Sequence, residues 1–154
     1  MFTYRISSGS CGSGRSSRAF SSSQRSDSND GRSFGLSRGM FPKRTIVIRG
    51  MVPYGFLVSR SRDVAFHIYP RFREGIVVRN SMIGGNWGQE EREMSMNPFM
   101  EGQYFDMSIR CGNQRFKVFV NGQHLFDFSH RWQSFNEIDM LEIEGDVQIS
   151  YIHF

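Results

Sequence analysis

The chain has 154 residues, 38% of them hydrophobic and 14% aromatic, with 15 Phe. That is enough apolar surface for one domain with a real core and too much for whole-chain disorder. No run approaches 18 consecutive apolar residues, so membrane insertion is not expected. The start of the chain lacks the continuous apolar stretch of a secretory signal. Cys11 and Cys111 are far apart and form neither a disulfide framework nor a metal-ligand pair. Free thiols fit a reducing compartment.

The net charge of +4 points to nucleic acid only until it is divided along the chain. Residues 1–40 hold six Arg against Asp27 and Asp30, and residues 41–154 are balanced at 13 basic and 13 acidic side chains. The folded part therefore has no global field to steer polyanions, and no nucleic-acid binding is expected of it. Residues 1–40 also contain 13 Ser and six Gly, with recurrent Arg-Ser pairs such as Arg15-Ser16 and Arg25-Ser26. That composition buries too little to offset backbone entropy, so a disordered tail is expected over 1–40, ahead of a domain over 41–154. A plain linker, a mitochondrial presequence and a weakly RNA-binding or phosphorylated Ser/Arg segment all fit it.

From Thr45 onward the dominant period is two. The spacing predicts strands over Thr45–Arg49, Val64–Phe72, Ile76–Asn80 and around Trp87–Arg92, and Phe105–Cys111 alternates apolar and polar without error. Arg115–Val120 runs through Asn121-Gly122 into His124–Phe128, which predicts a type I′ hairpin because Asn-Gly tolerates two positive φ values. Met140–Glu144, Gly145-Asp146 and Val147–Ile152 read as a second strand pair. With no sustained helical stripe, the chain reads as all-β, a two-sheet antiparallel jelly-roll-like sandwich.

The most informative segment is Asp63–Phe72. Alternation sends Val64, Phe66, Ile68 and Phe72 toward the core, and Ala65, His67, Tyr69 and Arg71 to the other face in one row. Pro70 removes a ladder donor, so that end of the strand should carry a bulge or lie beside an unpaired edge. A row of His, Tyr and Arg supplies directional donors and acceptors suited to a polar ligand, although an ordinary solvated strand face fits it too. Trp87 has glycines nearby on both sides, which suits a surface platform for the apolar face of a sugar as well as a core filler. Glu90 and Arg92 are two apart, where an ion pair would fix both groups.

These residues, in order and spacing, resemble the galectin carbohydrate-recognition domain. The resemblance rests on His67-x-x-Pro70-Arg71-Phe72, Val78-x-Asn80-Ser81, Trp87-Gly88-x-Glu90-x-Arg92, Pro98-Phe99 and Gly102-Gln103-x-Phe105. It extends through Phe116–Val118, Asn121–Phe128, His130-Arg131 and Leu141–Val147, and is strongest to the C-terminal domain of galectin-4-type tandem-repeat galectins. It implies a non-catalytic lectin for β-galactosides such as lactose or N-acetyllactosamine, carried on glycoproteins or glycolipids. His67 and Arg71 would hold the axial 4-hydroxyl of galactose, and Asn80 and Glu90 the 6-hydroxyl. Trp87 would stack on the ring, and Arg92 would orient Glu90. It implies no cofactor. It also implies a cytoplasmic protein that reaches the outside by a signal-independent route, with a homodimer as one way to gain bivalency.

Two departures set up an alternative. Tyr69 stands where lactose-binding galectins usually carry Asn and cannot reproduce an amide contact. Only 16 residues separate Gly50 from His67, several fewer than usual, and only Phe56-Leu57-Val58 is left to form the strand that precedes the His strand in the family. Both would suit a domain that has lost lactose binding and serves as a protein-interaction or structural module. An enzyme is not expected. His67 with Glu90, or Glu90 with Asp106, would be the acid–base couple, but Asp106 has no link to the groove, and Cys111 points coreward with Met107 and Ile109. The four His show no metal spacing.

Overall fold

A computed structural model describes residues 2–7, 32–51, 63–71, 74–100, 102–132, 134, 137–138, 140–145 and 148–154. They form eleven strands: β1 Phe2–Ser7, β2 Arg32–Gly35, β3 Thr45–Met51, β4 Val64–Arg71, β5 Ile76–Ile83, β6 Asn86–Trp87, β7 Tyr104–Cys111, β8 Arg115–Val120, β9 Gln123–Ser129, β10 Met140–Gly145 and β11 Gln148–His153. One antiparallel sheet has the order β2-β10-β1-β4-β5-β6 and the other β11-β3-β7-β8-β9. The expected all-β, two-sheet antiparallel architecture is the one observed.

The period of two explains how the layers meet. In β7, Phe105, Met107, Ile109 and Cys111 are buried while their neighbours are not, and in β8 the same holds for Phe116, Val118 and Val120. Phe66 of β4 stacks on Phe116 and Phe128 of the facing sheet, with ring centroids 5.1 and 4.5 Å apart. Burying such a side chain contributes roughly 1.5–3 kcal/mol, so this aromatic cluster is a principal clasp between the layers. The Asn121-Gly122 hairpin is present, with φ of 52° and 79°. His130 closes the far end of that hairpin, its Nε2 donating to Gly112 O at 2.8 Å and its ring standing edge-on to Phe116. Burial pushes the His130 imidazole below its ordinary pKa, so it is neutral at pH 7. Burial likewise raises the Cys111 thiol to about 11. We therefore expect Cys111 to resist iodoacetamide in the native chain at pH 8 and to react once the chain is unfolded, read by mass spectrometry of its peptide.

Four expectations are corrected. The segment 1–40 is not wholly outside the fold: β1 and β2 are strands of the six-stranded sheet, and Leu36 and Met40 are buried. Phe2-Thr3-Tyr4-Arg5-Ile6-Ser7 alternates on its own, a pattern hidden in a forty-residue average rich in Ser and Gly. Met140–Gly145 and Gln148–His153 do not pair as a hairpin, because β10 lies between β2 and β1 while β11 pairs with β3 in the other sheet. In β4, a bulge between Val64 and His67 breaks the alternation: Val64 is buried as expected, but Ala65, expected on the outer face, is buried too and joins Phe66 and Ile68 in the core cluster. The strand predicted around Trp87–Arg92 is two residues long, followed by an isolated bridge of Glu91 to Arg79. Pro70 behaves as expected, since pairing of β4 with β1 stops at Ile68. Phe72 and Phe56–Val58 lie outside the described residues.

Candidate functional site

Three adjacent strands build the site. In β4, His67, Tyr69 and Arg71 recur at every second position beyond the bulge, so the pleat sets them in one half-buried row. The β4–β5 register puts Asn80 directly opposite His67 and Val78 opposite Tyr69, and opposite positions carry their side chains on one face about 5 Å apart. After β5 the chain turns at Gly84 and Gly85, whose φ values of 63° and 80° suit glycine. Asp63 Oδ1 accepts from both backbone N–H groups, at 2.9 and 3.4 Å, which ties this turn to the start of β4. β6 then presents Trp87, 47% exposed, with its ring centroid 5.0 Å from that of His67.

The charged half of the site is organised around Glu90. Arg92 Nε donates to Glu90 Oε2 at 2.9 Å, and its Nη2 reaches the same oxygen. Arg71 Nη2 lies 3.6 Å from Glu90 Oε1, and Arg71 Nη1 3.5 Å from Glu74 Oε2. The Arg92–Glu90 pair is exposed, where solvent screening leaves it little weight in stability, so its consequence is geometric. It occupies one carboxylate oxygen and leaves Oε1, only loosely approached by Arg71, able to accept from a ligand hydroxyl.

Asn80, only 4% exposed, is more tightly constrained. Its Nδ2 donates to Gly88 O at 2.8 Å, and its Oδ1 accepts from Ser81 N and from Arg131 Nη1, both at 2.8 Å. With both carbonyl lone pairs and one amide hydrogen spent, the group it has left to offer is the second Nδ2 hydrogen. A hydroxyl placed between Asn80 and Glu90 would accept from the first and donate to the second.

Tyr69 fills the gap in the β4 row. Its ring is nearly parallel to that of His67, with centroids 5.8 Å apart, and the Arg71 guanidinium sits 5.5 Å from its centroid. The two donors that flank it are thus braced by a ring rather than joined by an amide.

All six sequence-predicted site residues, His67, Arg71, Asn80, Trp87, Glu90 and Arg92, lie on this one stretch of β4, β5, β6 and the segment after it. Asp106 is on the other sheet, ion-paired with Arg49 Nε at 2.8 Å, so the structure assembles no Glu90–Asp106 couple. Among the described residues no three His, Cys, Asp or Glu side chains are grouped to hold a metal ion. Sequence reading assigned no role to Arg131, Ser81 or Gly88, which hold Asn80. His130-Arg131 stood inside the family pattern, but no local signal tied it to residues 40 to 51 positions away.

The family model for galactoside-binding lectins matches residues 33–154. The chain belongs to that family, the galectins. Within it the chain is galectin-4-like. It is 59% identical to galectin-4 of Sus scrofa and 52% identical to galectin-4 of Homo sapiens, each over 124 residues and 76% of this chain. Galectin-8 of Rattus norvegicus is 39% identical over 74% of the chain. In each case the chain spans 38% of the length of the relative it matches. Among solved structures, a Caenorhabditis elegans galectin superposes with a TM-score of 0.73 at 25% identity, over 88% of this chain and 94% of that one. Sheep galectin-11, solved with glycerol, gives 0.66 at 22% over 79% and 94%. The galectins are carbohydrate-binding lectins rather than enzymes.

Proposed function

We propose that this chain binds β-galactosides of the lactose and N-acetyllactosamine type through the β4–β6 face, without catalysis. The observation that carries this reading is one constellation: Asn80 opposite His67, an exposed Trp87 beside that His67, and Glu90 set between Arg71 and Arg92. In this reading His67 and Arg71 meet the axial 4-hydroxyl. The 6-hydroxyl accepts from Asn80 and donates to Glu90, and the ring's C–H face lies on Trp87. An epimer without the axial hydroxyl leaves those donors facing nothing, which is how geometry rather than net charge sets the preference. At about 0.3 kcal/mol per non-hydrogen atom, a disaccharide of some 23 such atoms binds no tighter than roughly 10 μM.

Tyr69 favours the second reading, a galectin-like domain without lactose binding, because its ring stands between the two 4-hydroxyl donors. Calorimetric titration of lactose, with sucrose as the mismatched sugar, decides between them. Saturable binding of lactose alone supports the lectin; no binding by a folded chain removes it. The Tyr69→Asn variant is expected to bind lactose roughly tenfold tighter, since the amide adds a contact and frees the row. Unchanged affinity would show that Tyr69 does not crowd the sugar.

A further inference from the structure

Arg131 follows β9 in the five-stranded sheet, yet its side chain reaches the opposite sheet, where it meets β5 at Asn80 and Ser81 and the segment after β6 at Gln89 and Glu91. Its Nη1 donates to Asn80 Oδ1 at 2.8 Å and lies 3.3 Å from Ser81 Oγ. Its Nη2 donates to Gln89 O at 2.7 Å and to Glu91 Oε2 at 2.9 Å, on either side of Glu90. The guanidinium sits 4.9 Å from the centroid of the buried Phe128 ring. Its neighbour His130 is anchored twice, by its backbone N–H to Gln114 O at 3.0 Å and by its ring to Gly112 O. The arginine therefore projects from a fixed base.

We infer that Arg131 is the positioning residue that sets which way the Asn80 amide faces, and so that Asn80 can act toward a ligand only as a donor. A flipped amide would point its NH2 at two donors, Ser81 N–H and Arg131 Nη1, and its oxygen at Gly88 O, an acceptor. A charged guanidinium raises the cost of that mismatch more than a neutral donor would. Lysine is no substitute, since one ammonium cannot reach four acceptors on two segments in a planar fork. Gly88 belongs to the same device: a Cβ there would lie 2.7 Å from Arg131 Nη1 and 3.3 Å from Asn80 Oδ1, so a side chain at this position would push the guanidinium away from the amide.

This inference rests on the 6-hydroxyl reading of Asn80 and is tested with two sugars on the full chain. Lactose and its analogue lacking the galactose 6-hydroxyl are titrated into the wild type, Arg131→Lys and Gly88→Ala, with thermal unfolding recorded for each. Both variants are expected to weaken lactose roughly tenfold while changing the 6-deoxy analogue less than about twofold. Equal weakening of both sugars would make Arg131 a general support and overturn the assignment, as would no weakening of lactose. A wild type that binds neither sugar would instead defeat the lectin reading. In that case the inference is still judged without ligand, by NMR of the Asn80 side-chain amide. Its pair of proton signals should shift or broaden in Arg131→Lys and in Gly88→Ala, and unchanged signals would refute it.

Discussion

Replacing Trp87 with alanine is expected to abolish most lactose binding and leave the fold intact. The indole is 47% exposed on a two-residue strand at the end of its sheet, so it contributes little to the core. Its ring stands 5.0 Å from His67, where a sugar held by the β4 row would lay its apolar face. Aromatic side chains at the centre of a recognition surface typically carry about 2 kcal/mol or more, which is roughly thirtyfold in affinity. The thermal midpoint should move by no more than about 3 °C, the response of a chain of this size to ~1 kcal/mol. Calorimetric titration beside a thermal melt reads both. An unfolded variant would show that Trp87 is part of the core, and unaltered affinity that the sugar does not stack on it.

Removing residues 1–31 is expected to damage the same site from its other side. β1 pairs with β10 at six positions and with β4 at four, Arg5 lying opposite His67 in the register. Among the described strands nothing else joins β4 to β10, so the shortened chain is left with two pieces of sheet and an open edge on the strand that carries His67, Tyr69 and Arg71. An unpaired edge opens more readily and invites pairing with another chain. The shortened protein should bind lactose at least roughly tenfold more weakly, because His67 and Arg71 lose their fixed separation. It should also self-associate in sedimentation, and the Val64–Ile68 amides should exchange faster with deuterium. A shortened chain that remains monomeric, binds as well as the full one and keeps those amides protected would show that β1 does not support the site.

The contrast between these two residue sets shows what the sequence could reveal. Trp87 and the β4 row were legible because local spacing decides exposure and facing: alternate positions share a face, and an Asn-Gly pair fixes a hairpin wherever it sits. β1 was hidden because six alternating residues were averaged into a segment dominated by Ser and Gly. The partners of β10 and β11 were misread for a different reason. Gly145-Asp146 signals a change of direction but not which sheet each strand will join, and that choice is made by contacts far away in sequence. The bulge between Val64 and His67 escaped because Val-Ala-Phe offers apolar side chains in either register, so only pairing with β5 reveals the skip. Arg131 is the extreme case, since its acceptors are 40 to 51 residues away and its role exists only once the two sheets face each other.

The most direct measurement of the central claim is an NMR titration of the ¹⁵N-labelled full chain with lactose, following backbone amides and the Trp87 indole. The account predicts saturable, concerted shifts at the Trp87 indole N–H and at the amides of His67, Asn80, Glu90 and Arg92, with β7–β9 unmoved and with sucrose producing none of them. Shifts confined to another surface, or lactose and sucrose acting alike, would contradict it.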